Sequence, residues 1–222
     1  MTENKLQVPD IAPLLPENPL VPVVVIDDAK DAVPTAQALA AGGITCAEVT
    51  FRTAAAPEAI RLIAEAGGTT VGAGTIINAE QANAAIDAGA KFLVSPGLSR
   101  EVAEVAAERG VPLLPGVATP SEIVTALSWG LTTLKFFPAE AMGGLPVLKA
   151  FAGPFGQVKF VPTGGIGLKN LAPWAQAPFI SSIGGSWMVT KAMINAGDFE
   201  GITKASQEAL AAYQAAREEL NK

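Results

Sequence analysis

The sequence predicts a (β/α)8, or TIM, barrel formed as a single domain over residues 1–222. Eight short β-rich runs recur at a steady interval, Ala-rich helical segments separate them, and no shift in composition marks a domain boundary. The runs are VPVVVI (21–26), CAEVTF (46–51), TTVGAGTI (69–76), KFLVSPG (91–97), VPLLPGV (111–117), TTLKFFPA (132–139), QVKFVPTGG (157–165) and ISSIGGSW (180–187). Their starts lie 25, 23, 22, 20, 21, 25 and 23 residues apart. An open doubly wound sheet is the alternative, but it needs a reversal of strand order, and eight even units favour closure.

Residues 1–20 read as an N-terminal extension without the charged-then-apolar order of a signal peptide. The first run, like the other apolar runs, is far too short to span a bilayer. In the second, alternation puts Cys46, Glu48, Thr50 and Arg52 on one face and Ala47, Val49 and Phe51 on the other. The apolar set suits the helix-facing layer, so Glu48 and Arg52 are expected to project towards the barrel interior and its mouth. The third run ends in GAGT, whose glycines allow close backbone approach and whose Thr75 hydroxyl could help to hold an anion. After the fourth, Ser99 is a plausible helix N-cap and Gly110 a plausible C′ residue of REVAEVAAERG.

The sixth run, TTLKFFPAE, carries a lysine inside an apolar stretch, where lysine is rarely found. If Leu134 and Phe136 face the helices, then Thr133, Lys135 and Phe137 face the interior. A dry interior favours the neutral amine, the form that attacks a ketone or aldehyde to give a Schiff base. An ion pair with Glu48 is the structural alternative, and the two are compatible. Lys91 and Lys159 stand at strand beginnings, the end of a barrel that serves stability rather than chemistry. The seventh and eighth runs end in PTGGIG and IGGSW, the two adjacent loops that recurrently bind phosphate in such barrels. Trp129 and Trp187 are expected to pack rather than to stack on a ligand. The tail, 198–222, reads as a closing amphipathic helix.

Composition narrows the chemistry. There is no histidine, which excludes Ser-His-Asp and Cys-His arrangements and the usual imidazole metal site and leaves Lys, Glu, Asp, Arg, Tyr, hydroxyls or a cofactor to do the chemistry. Schiff-base chemistry at Lys135 requires no metal or organic cofactor. A net charge of −6 with scattered basic residues argues against nucleic acid. The single Cys46 cannot form an internal disulfide, fits a reducing cytoplasm, and reads as core filler.

The segments AGGITCAEVTFRT, VGAGTI, FLVSPGL, LLPGVATPSEI, LKFFPAE, FVPTGGI and IGGSW, in order over roughly 20–200, resemble the 2-keto-3-deoxy-6-phosphogluconate (KDPG) / 4-hydroxy-2-oxoglutarate (KHG) aldolases. The resemblance implies a class I aldolase on a TIM barrel, a cytoplasmic homotrimer of the Entner–Doudoroff pathway that binds a phosphorylated 2-keto-3-deoxy sugar acid and releases pyruvate. It implies Lys135 as the Schiff-base lysine and Glu48 as general acid/base. Arg52 and Thr75 would hold the substrate carboxylate, Pro96 and Phe137 would line the pocket, and Thr163 would meet substrate hydroxyls. Gly164, Gly165, Gly185 and Ser186 would bind phosphate. Some relatives carry a basic residue before the first strand, where this chain reads NPLVPVVV, so an unphosphorylated 4-hydroxy-2-oxo acid is a competing substrate. The galactonate analogue is a further alternative, against which Thr163 weighs. From the residues alone, a phosphosugar isomerase or epimerase with Glu48 as base, and a non-catalytic binding subunit, stay open.

Overall fold

A computed structural model describes residues 6–15 and 17–220. The expected strands appear at β1 (Leu20–Val24), β2 (Cys46–Thr50), β3 (Thr70–Gly74), β4 (Leu93–Val94), β5 (Leu113–Leu114), β6 (Gly116–Val117), β7 (Thr133–Phe136), β8 (Lys159–Pro162) and β9 (Ile183–Gly185). All paired neighbours are parallel. They form a six-stranded sheet in the order β5-β4-β3-β2-β1-β9 and a three-stranded sheet in the order β6-β7-β8. The fifth expected run is therefore two strands, one in each sheet, separated by Pro115. Proline has no N–H to donate to a ladder, yet its carbonyl still accepts from Lys135 N–H at 2.9 Å. On the far side, bridges Phe160↔Ile180 and Thr163↔Gly184 join the end of the smaller sheet to the β9 region.

Helices α1 (Ala32–Ala41), α2 (Ala56–Ala66), α3 (Ala79–Asp87), α4 (Arg100–Arg109), α5 (Pro120–Ser128), α6 (Gly144–Ala152), α7 (Leu171–Gln176) and α8 (Lys191–Asn195) follow the strands, and α9 (Phe199–Leu220) ends the described chain. Their boundaries have local causes. Ser99 accepts from Val102 N–H to start α4, and Gly110, at φ 65°, ends it in the left-handed conformation that glycine tolerates. Thr119 and Glu122 cap α5 reciprocally, with Pro120 at its first turn. Strand residues that face outward meet this helical layer: Leu134 and Phe136 are fully buried, and the Phe136 ring stands edge-on to Phe151 of α6, 6.2 Å between centroids.

The N-terminal segment is part of the core. Val8, Ile11 and Leu15 are buried. Leu113 N–H donates to Pro9 O at 3.1 Å, and the Asp10 carboxylate accepts from the N–H groups of Thr132 and Thr133 at 2.6 and 3.0 Å. Burial works to raise the Asp10 carboxyl, but the hydrogen bonds from Thr132, Ala12 and Thr133 outweigh it and hold the group below its ordinary value. Residues 1–5 of the expected extension and 221–222 of the expected closing helix lie outside the described residues. Within them, α9 reaches from α1, where Thr203 donates to Ala38 O at 3.0 Å, to α7, where Arg217 donates to Ala175 O at 3.1 Å.

Candidate active site

Parity along two strands brings the lysine and the glutamate face to face. Glu48, in the middle of β2, and Lys135, the third residue of β7, are separated by 87 positions in sequence. Their side chains keep only 3% and 6% of their surface, and Lys135 Nζ donates to Glu48 Oε1 at 3.3 Å. The contact is that of the expected ion pair, and it also sets the carboxylate within proton-transfer reach of the amine. Removing either partner would strand the other in a dry interior, a penalty of about 3–5 kcal/mol. Lys135 Nζ also lies 5.3 Å from the ring centroid of Phe137, two residues on along the same face.

Small residues make the room. Gly116 is the register partner of Lys135, and the Pro96 carbonyl closes against it where a Cβ would stand. A Cβ on Gly74 would sit 2.5 Å from Glu48 Cγ and 2.7 Å from Cδ. Cys46 shares the Glu48 face one step below; burial, and then the Glu48 carboxylate, push its thiol up to about 12. Its Sγ donates to Leu20 O at 3.4 Å, which suits an inert core residue.

A cavity of ≈ 260 Å³ is lined by Val23, Arg52, Phe137, Thr163, Gly164, Gly165, Ile166, Gly185 and Ser186. Lys135 and Glu48 are not in its lining but adjoin it through Phe137, whose ring is near Lys135 Nζ, and Val23, the register partner of Glu48. Seven of the residues singled out from sequence meet in this one space. Arg52 Nε donates to Thr75 Oγ at 3.2 Å, which holds the plane of the guanidinium. Thr75 has φ 59°, a left-handed conformation that is costly for a β-branched residue and is the kind of strain found where a side chain must be aimed. Pro96 is not among the residues that line the cavity; it borders the strand beside Lys135 instead. Val23 and Ile166, which the sequence did not single out, do line it. Val23 shares the interior parity of β1 and is the register partner of Glu48, a signal legible only once pairing is known. Trp187 packs its ring on Gly185, with Cη2 3.1 Å from where a Cβ would stand.

Parallel strands that bring a buried amine against a buried carboxylate, next to residues that line a glycine-rich cavity, fit a protein of the Schiff-base type, in which carbonyl chemistry runs through a lysine. The particular family follows from comparison. Residues 11–205 match the family described as KDPG and KHG aldolase, and the chain belongs to it. It is 46% identical over 199 residues to the 2-dehydro-3-deoxy-phosphogluconate aldolase of Dickeya dadantii (strain 3937), covering 89% of this chain and 93% of that one. It is likewise 46% identical to the KHG/KDPG aldolase of Escherichia coli (strain K12), with the same coverage. The KDPG aldolase of Legionella pneumophila, solved with pyruvate captured as a covalent carbinolamine intermediate, superposes with a TM-score of 0.86 at 41% identity, covering 89% of this chain and 97% of that one.

Proposed function

We propose that this chain is a class I aldolase that cleaves 2-dehydro-3-deoxy-6-phosphogluconate to pyruvate and glyceraldehyde 3-phosphate, and 4-hydroxy-2-oxoglutarate to pyruvate and glyoxylate as a second substrate. The observation that carries the reading is the buried 3.3 Å contact between Lys135 Nζ and Glu48 Oε1. Lys135 adds to the C2 ketone, Glu48 moves protons through the carbinolamine, and water leaves to give an iminium. Glu48 then takes the C4 hydroxyl proton, the C3–C4 bond breaks, and its electron pair flows to the iminium nitrogen. The aldehyde departs, the enamine is protonated at C3, and water releases pyruvate from Lys135. Arg52, held by Thr75, grips the substrate carboxylate in a fork-to-fork pair. Phe137 and Pro96 bound the pocket and Thr163 meets the substrate hydroxyls. Gly164, Gly165, Gly185 and Ser186 receive the phosphate.

Borohydride reduction in the presence of pyruvate, followed by peptide mass spectrometry, tests the reading. Lys135 should carry the reduced pyruvate adduct, and active enzyme with an unmodified Lys135 would end it. A Lys135→Arg enzyme should lose nearly all activity, whereas an isomerase that used the lysine only electrostatically would keep part.

The finer architecture belongs to the same proposal. β5 and β6 act as one strand bent at Pro115, and the bridges to the β9 region close the two sheets into a single eight-stranded barrel domain over 1–222. The family resemblance supports a cytoplasmic homotrimer, tested by sedimentation equilibrium at three times the 22.6 kDa chain mass.

A further inference from the structure

The loop after β8 is held by a clamp that none of the cavity-lining residues supplies. Three consecutive peptide planes along Thr163–Ile166 have their carbonyls fixed from one side. Thr163 O accepts from Ala139 N–H at 2.8 Å, Gly164 O from Glu140 N–H at 3.1 Å, and Gly165 O from Asn170 Nδ2 at 3.1 Å. In a trans peptide the N–H points opposite to the carbonyl, so the N–H groups of Gly164, Gly165 and Ile166 are turned together to the other side. Two of the three anchors are backbone; the third is the side chain of Asn170.

Asn170 occupies the N-cap position of α7 but makes no side-chain cap, although asparagine is among the best capping residues. Its amide is spent on the loop instead. Oδ1 accepts from Gly167 N–H at 2.8 Å, and Nδ2 reaches both Gly165 O and Glu140 Oε1, each at 3.1 Å. Glu140 Oε1 also accepts from Trp174 Nε1 at 2.9 Å, which ties the cluster to a buried indole of α7. The stem of Glu140 lies over Gly165, whose missing side chain leaves it room: a Cβ there would stand 2.7 Å from Glu140 Cβ.

The geometry points to Asn170, braced by Glu140 and Trp174, as a positioning residue that presets the amides of Gly164, Gly165 and Ile166 for a phosphate group and thereby sets the preference for phosphorylated substrate. This rests on the phosphate assignment proposed above. Preset donors cost no reordering when the anion arrives, so their loss is read in affinity for the phosphorylated substrate and not in the chemistry at Lys135.

The test uses the full chain with Asn170→Ala, Glu140→Ala and the conservative Glu140→Gln, which keeps the oxygen acceptor. Asn170→Ala and Glu140→Ala should raise KM for the phosphorylated six-carbon acid about tenfold, the usual effect of losing one or two such bonds, with kcat within about twofold. Glu140→Gln should stay near wild type. Exchange of pyruvate methyl protons with deuterated water, which needs Lys135 and Glu48 but no phosphate, should hold within about twofold in every variant and also reports that each one folds. Equal losses in both readouts, or no change in KM, would overturn the assignment. Calorimetric titration with inorganic phosphate separates the two levels. Phosphate affinity that falls about tenfold in Asn170→Ala supports the clamp whatever the reaction proves to be, and wild type that takes no borohydride adduct sinks the aldolase reading on its own.

Discussion

Substituting Gly74 by alanine should disable Glu48 without touching it chemically. The nearest atom to the new Cβ would be Glu48 Oε1, and Cγ would lie 2.5 Å away, whereas ordinary contact begins at 3.4 Å, so the side chain must retreat by at least 3.4 − 2.5 = 0.9 Å. Directed along the pair, a 0.9 Å retreat lengthens Lys135 Nζ–Glu48 Oε1 from 3.3 to 4.2 Å, beyond hydrogen-bond reach. Displacements of about 1 Å cost on the order of 10²-fold in rate, and loss of a general acid/base costs 10²–10⁴-fold. We therefore expect kcat for cleavage, followed by coupling pyruvate to lactate dehydrogenase, to fall by roughly 10²–10³-fold. Overpacking should also lower stability by about 1–3 kcal/mol. Gly72→Ala is the matched comparison: Gly72, on the same strand as Gly74, is the register partner of Glu48, but its Cβ would press on the Phe92 ring, 2.5 Å from Cδ2, instead of on the carboxylate side chain. It should lose comparable stability and far less activity. A Gly74→Ala enzyme within about threefold of wild type, or a Gly72→Ala enzyme equally inactive, would refute the reasoning.

Thr75→Gly should relieve the left-handed strain and raise stability by up to about 1 kcal/mol, while releasing Arg52 Nε and raising KM for pyruvate in the exchange reaction; a thermal melt and exchange kinetics report the two effects separately. Asp10 has a lowered folded value, so its stabilisation is present above its ordinary value of 3.8 and is lost as pH falls through the folded value. Asp10→Asn should cost about 1–3 kcal/mol in urea unfolding at pH 7, and the difference from wild type should shrink as pH falls below about 3.8. The Cys46 thiol, buried and pushed up to about 12, should resist a thiol-exchange reagent in folded protein at pH 8 and react fully in denaturant; rapid native labelling would contradict its buried placement.

Strand positions were legible because each β/α unit carries its own punctuation, and the meeting of Lys135 with Glu48 was legible because parity along β2 and β7 needs no knowledge of partners. The division of the fifth run was less so: LLPG reads as continuous apolar chain, and only pairing shows that Leu114 and Gly116 belong to different ladders. Val23 escaped notice because a valine in an apolar strand carries no chemical flag until its register with Glu48 is known. Asn170 escaped for the opposite reason. An asparagine before a helix already has an ordinary explanation as a cap, and its partner Glu140 lies 30 residues earlier. Pro96 was placed at the pocket through the family pattern, and its carbonyl, not its ring, abuts the strand residue paired with Lys135.

The pairing of β1 with β9 joins Val21 to Gly184, positions 184 − 21 = 163 residues apart. A ribosome adding about 5–20 residues per second leaves that edge of the first strand bare for roughly 8–30 s after it emerges. During that interval VPVVV presents open backbone and aliphatic surface to any neighbouring nascent chain. The last short strand to be made is thus the one that ends the exposure, and chains truncated before Ile183 should aggregate and recruit holdase chaperones in a way that chains truncated after the β9 region do not.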